Sequence, residues 1–188
     1  METPPPLETV SPSTTIPAIP GSEPTVVDAN NRFALDLYTR LADDPAHRND
    51  NLFFSPFSIS SALAITYEGA RGTTAEEIRS VFHYPENQSV MRSGFADVIA
   101  GMNNKTNTYT LRTANALWAE KTYPFLPEYI SAADRYYGAK TNNLDFVHAP
   151  EDSRVTINRW VEDQTEDRIK NLLQPDSITP ATRLVITN

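Results

Sequence analysis

Histidine is the side chain that changes charge near neutral pH, so His47, His83 and His148 are the first candidates for acid–base chemistry. They lie far apart in the sequence, each among polar, loop-like neighbours. Nothing in their spacing brings one beside a serine and an aspartate, and they read as surface residues. No G-x-S-x-G elbow, G-x-x-x-x-G-K-[ST] loop, H-E-x-x-H pair or G-x-G-x-x-G turn occurs. Glu76-Glu77 falls at the start of a helical segment, where acids complement the helix dipole. There are 0 cysteines, which excludes disulfides and thiol nucleophiles. An enzyme is therefore the least favoured reading, and no cofactor or metal site is expected.

Composition narrows the remaining classes. The chain has 188 residues, of which 39% are hydrophobic, enough for one domain with a sizeable core or part of a larger one. Acidic residues outnumber basic ones 24 to 16, for a net charge of −8. That balance disfavours nucleic acid, whose phosphates recruit Lys and Arg. No apolar run approaches the roughly 18 residues of a membrane span. Met1 leads into prolines rather than an apolar segment, so no secretory signal is visible. Residues 1–25 are Pro-rich, carry Glu2, Glu8 and Glu23 and hold no Lys or Arg. They read as a disordered tail, too poor in apolar surface to offset the cost of ordering.

The elements that would position any site begin at Val26. Phe33, Ala34, Leu37, Tyr38 and Leu41 share one helical face up to Asp43. The stretch Asn51–Phe82 organises the chain. Leu52-Phe53-Phe54 reads as a strand, Ser55-Pro56 as an N-cap and first turn, and Ile59 to Tyr67 as a helix buried nearly all round. Gly69 and Gly72 end that helix, and Thr73 with Glu76 carries a capping-box signature for the next. Glu86 to Asn104 reads as a weaker helix. Asn87-Gln88-Ser89 and Asn104-Lys105-Thr106 match the glycosylation acceptor pattern. Tyr109 to Ala119 is β-friendly. A helix follows through Tyr136, with Gly138 placed to end it. Ala139 to Phe146 reads as a second strand and Pro150 to Asp167 as a helix. Trp118 and Trp160 read as packing residues. Gln174-Pro175-Asp176 is a turn, and Leu184-Val185-Ile186 is continuous and apolar, as in a strand covered on both faces. No internal repeat is visible. The chain stops at Asn188 inside that strand, from which a fragment is expected.

Several of these strings resemble the serpin family closely. They are N-x-F-x-S-P-x-S-I from Asn51 with the following G-A-x-G-x-T turn, the run Leu111–Trp118 with Tyr123–Tyr129, Leu144-Asp145-Phe146, and Ile157–Val161 with Thr165–Ile169. The resemblance covers about residues 26–188 and matches the N-terminal portion of a serpin domain. It implies an α+β fold, helices around a large central β-sheet, incomplete here. It also implies a serine-type protease inhibitor whose reactive loop is cleaved by the target and inserts into that sheet. The loop would lie in the absent C-terminal half. By the resemblance, Ser55, Ser58 and Asn188 are the sheet-opening (shutter) residues, and Asn158, Trp160 and Thr165 belong to the helix over the central sheet. The plainer reading of Ser55 and Ser58, capping and lining a buried helix, stands beside it. Family members often have Gly where Asp167 stands. The basic heparin-binding helix of some serpins has no counterpart near Arg92 and Lys105. The implied partners are a serine or cysteine protease and the C-terminal half of the domain, with a monomer when full length. The implied compartment is extracellular, with the cytoplasm as the alternative. The competing functional readings are a non-inhibitory serpin with a binding or chaperone role and an inactive truncated fragment.

Overall fold

The computed structural model describes residues 24–47, 50–104, 106, 108, 111 and 113–188. The tail expected over residues 1–25 therefore falls almost wholly outside the described residues, as do parts of the Arg48 loop and of Tyr109–Arg112.

Helix α1 (Val26–Asp43) starts where Thr25 and Asp28 cap each other reciprocally, the Asp28 N–H donating to the Thr25 hydroxyl oxygen at 3.1 Å and the Thr25 N–H to Asp28 Oδ2 at 3.1 Å. Helices α2 (Pro56–Gly69), α3 (Gly72–Phe82) and α4 (Gln88–Met102) follow. Strand β1 (Ala116–Glu120), helix α5 (Pro127–Tyr137), strand β2 (Lys140–Leu144), helix α6 (Pro150–Gln164) and strand β3 (Leu184–Thr187) complete the order. Gly138 ends α5 at φ 64, the left-handed position that glycine takes without a Cβ penalty.

The sheet has the order β2-β1-β3, with β1 parallel to β2 and antiparallel to β3. Its two faces are covered by different cores. Leu117, Leu184 and Ile186 pack with α1–α5 around Ile65, Met91, Phe95 and Tyr137. Ala116, Trp118 and Val185 pack on the opposite side with Phe146, Ile157 and Trp160 of the α6 region. The strand alternation of period 2 thus feeds two cores, and Leu184-Val185-Ile186 is covered on both faces as its apolar run predicts. Side chains as fully buried as Ile65, Met91 and Phe95 each contribute about 1.5–3 kcal/mol by burial. Helices α1 and α4 approach closely because position 94 is glycine; a Cβ there would meet Val26 Cγ2 at 2.6 Å.

Three local expectations are corrected. Leu52-Phe53-Phe54 forms no strand, and Phe53 is fully exposed, because an extended apolar run needs a neighbouring strand and none among the described residues pairs with it. Thr73 does not cap α3: Gly72, at φ 58, already opens the helix, with Arg71 at the N-cap making no side-chain cap bond. Helix α2 buries Ser60, Ser61, Ala64, Ile65 and Glu68 most deeply, whereas Thr66 is exposed. Its most protected stripe is therefore more polar than apolar spacing suggests.

Candidate functional site

At the end of β3 the Asn188 carboxamide reaches down to α2 and across to the residue before β1. The Ser58 hydroxyl donates to Asn188 Oδ1. Asn188 Nδ2 donates to Ser61 Oγ at 2.8 Å and also to Asn115 Oδ1. Asn115 Nδ2 in turn donates to the Tyr137 carbonyl at 2.7 Å, and the Ser61 hydroxyl to the Ser58 carbonyl at 3.3 Å. Ser58 and Ser61 are three residues apart, so both fall on one face of α2. Ser55 stands apart from this knot. Its Oγ accepts from the Ser58 N–H at 3.2 Å, and the extended backbone of Ser55 followed by Pro56 makes it the α2 N-cap. Beside the knot, the Trp118 indole N–H donates to Thr187 Oγ1 at 3.0 Å between two buried side chains. The knot is made of neutral hydroxyls and amides. Such groups can exchange one neutral partner for another without desolvating a charge.

The three residues expected on the helix over the sheet all belong to α6 or its exit. Trp160 packs edge-on against Trp118, ring centroids 5.5 Å apart. Asn158 grips Leu173 at both backbone groups: Nδ2 donates to the carbonyl at 2.9 Å, and the Leu173 N–H donates to Oδ1 at 2.8 Å. Arg154 Nη1 donates to the same carbonyl at 2.7 Å. The Thr165 hydroxyl donates to the Val161 carbonyl and accepts from the Ile169 N–H at 3.1 Å. Between them the chain turns through Glu166, Asp167 and Asn171, all at positive φ.

Two buried carboxylates brace the elements around the knot. Glu68, on α2, takes Arg92 Nη2 at 2.7 Å, Gln88 Nε2 at 3.1 Å and the Tyr137 hydroxyl at 2.9 Å, joining α2, α4 and α5. Burial, reinforced by the Glu68 charge, pushes the Tyr137 phenol far up and keeps it a donor. Glu120 closes β1. Its burial alone would raise its pKa, but the hydroxyl and N–H of Thr122 and the N–H groups of Phe146 and Val147 together hold it below the ordinary value. Next to it, Lys121 pairs with Asp145 at 2.7 Å. That bond first, and the His148 N–H second, hold Asp145 down at about 2.

Each histidine meets an aspartate: His47 pairs with Asp50 and His148 with Asp145 three residues away, whereas His83 after α3 reaches Asp36 on α1. Among the described residues no group of three or more His, Asp or Glu is placed to hold a metal ion. Sequence reasoning missed Ser61, Asn115, Thr187, Glu68 and Glu120. The i, i+3 repeat of serines in α2 was the one local signal available for Ser61.

The fold, with three strands among the described residues and helices on both faces, is similar to part of emu (Dromaius novaehollandiae) ovalbumin, with a TM-score of 0.80 and 32% identity over 87% of this chain and 45% of that one. A family model described as Serpin (serine protease inhibitor) matches residues 28–188. The chain belongs to the serpin family, and what it matches is the N-terminal portion of the domain. Among curated relatives, an uncharacterized serpin-like protein of Methanosarcina mazei is 45% identical over 163 residues, 87% of this chain and 38% of its own length. Human leukocyte elastase inhibitor is 45% identical over 161 residues, 85% of this chain and 41% of its own. The chain thus spans about two fifths of the length of the curated relatives it matches.

Proposed function

We propose that the protein is a protease inhibitor that acts once, by cleavage of a reactive loop and insertion of that loop into the sheet beside β3, with the loop supplied by the part of the serpin domain outside these 188 residues. The observation that carries this reading is the neutral knot of Ser58, Ser61, Asn115 and Asn188 at the end of β3. Among the described residues β3 pairs with β1 alone, and strand addition along the edge away from β1 is the step this reading requires. The knot holds that strand's end against α2 and β1, and its members can re-pair when the strand shifts. Trp160, Asn158 and Thr165 hold the helix and its exit that lie across the opposite face of the sheet. Ser55 serves the site as the cap that fixes where α2 begins.

The target is a serine protease, with cysteine proteases as the second class; the likeness to leukocyte elastase inhibitor makes elastase-type enzymes the first to try. The acting form is a monomer. No helix among the described residues is long and apolar enough to cross a membrane.

The test is to incubate the full-length protein with a panel of serine and cysteine proteases and run denaturing gels. The reading predicts a covalent complex with at least one of them. Cleavage of the loop throughout the panel with no trapped enzyme would overturn it and leave a non-inhibitory serpin.

A further inference from the structure

A cleft of about 400 Å³ opens between the C-terminal end of α2, the loop joining β1 to α5, and the start of β3. Its size lies within the range of small-molecule sites. One wall is aromatic: Tyr123 and Phe125 lie 4.8 Å apart by ring centroid, and Phe125 and Tyr129 lie 6.3 Å apart, nearly parallel. Leu126 and Leu184 add apolar surface. The floor is tight, since a Cβ on Gly69 would already touch the Tyr129 ring at 3.4 Å.

The charges around the cleft are unequally satisfied. Glu68 and Arg92 neutralise each other at 2.7 Å, with the Glu68 side chain buried. Arg71 has no carboxylate partner among the described residues. Its Nη1 donates to the Glu68 and Ala70 carbonyls at 3.0 and 2.7 Å, which anchors the guanidinium at the end of α2. Among the described residues the remaining donors of that fork meet no protein acceptor, and Arg71 lines the aromatic cleft. Glu128 is a second carboxylate on the lining.

We infer that this cleft binds a small aryl carboxylate, its ring against Tyr123, Phe125 and Tyr129 and its carboxylate on Arg71. Ring stacking supplies affinity, and the charge-assisted fork selects the acid over its neutral analogue. A ligand seated there touches α2, α5 and β3 together.

The probe is 3-phenylpropionate, titrated calorimetrically into the full-length protein beside 3-phenylpropanamide. The expected result is saturable binding of the acid, with the amide weaker by about tenfold, the usual worth of a charged hydrogen bond. Arg71→Gln should lower the acid to the level of the amide. Leu126→Trp, which fills the cleft from its exposed side, should abolish both with no change in melting temperature. Absence of saturable binding to the full-length protein, equal affinity for acid and amide, or binding unaffected by Leu126→Trp would each overturn the inference.

Discussion

Asn188 uses both sides of its carboxamide, accepting from Ser58 and donating to Ser61 and Asn115. Asn188→Ala removes all of these at once and leaves the Asn115 carbonyl and two hydroxyls to find other partners. The expected loss is about 1–3 kcal/mol, read as a lower urea midpoint with an unchanged slope in the full-length protein. A midpoint equal to that of the wild type would mean the knot contributes nothing in solution. Asp145 gives a pH prediction with a definite sign. Its pKa is depressed from 3.8 to about 2, first by Lys121 and then by the His148 N–H. A depressed carboxylate stabilises the fold above its unfolded pKa and loses that contribution as pH falls through the folded one. Asp145→Asn should therefore be less stable than wild type above about pH 4, and the gap should close as pH falls toward 2. A gap that stays constant over that window would contradict the assignment. Glu120 is shifted in the same direction, by its own set of hydrogen bonds.

At the scale of elements, α6 and its exit act as one clamped unit. Asn158→Ala removes both of its bonds to the Leu173 backbone, though Arg154 still reaches the carbonyl. The expected cost is about 1–3 kcal/mol. Asp167 sits at φ 61, and its contact with Lys170 at 3.6 Å is exposed. A left-handed backbone costs an L-residue about 1–2 kcal/mol, less for Asp, and glycine's extra unfolded-state freedom offsets part of the relief. Asp167→Gly should stabilise the protein by about 0.5 kcal/mol, seen as a small rise in the urea midpoint; a clear loss would show that Asp167 makes a contact that matters. Local chemistry made many element ends legible in advance. Ser55-Pro56 starts α2 and Gly138 ends α5 because caps and left-handed glycines act within a few residues. The pairing of Asn188 with Asn115 was not legible from any pattern, since the two are 73 positions apart and are joined by strand register. The family resemblance singled out Ser55, Ser58 and Asn188 as a set, of which Ser58 and Asn188 meet while Ser55 caps α2, whereas Ser61 and Asn115 had to come from the fold. Leu52–Phe54 shows the converse failure: the residues suit a strand, but a strand exists only where a partner runs alongside.

At the scale of the whole molecule, the three strands and six helices among the described residues build the helices-about-a-sheet frame of a serpin. Both tryptophans of the chain stand face to edge between β1 and α6. Any insertion that moves α6 over the sheet should change their fluorescence in the same experiment that reports cleavage. The measurement that tests loop insertion beside β3 most directly is the thermal unfolding of the full-length protein before and after a protease nicks its reactive loop. A strand added beside β3 gains a ladder of hydrogen bonds and buries apolar surface, so a large rise in melting temperature is predicted. A cleaved protein that melts where the intact one does would contradict insertion, and with it the proposed inhibitory mechanism.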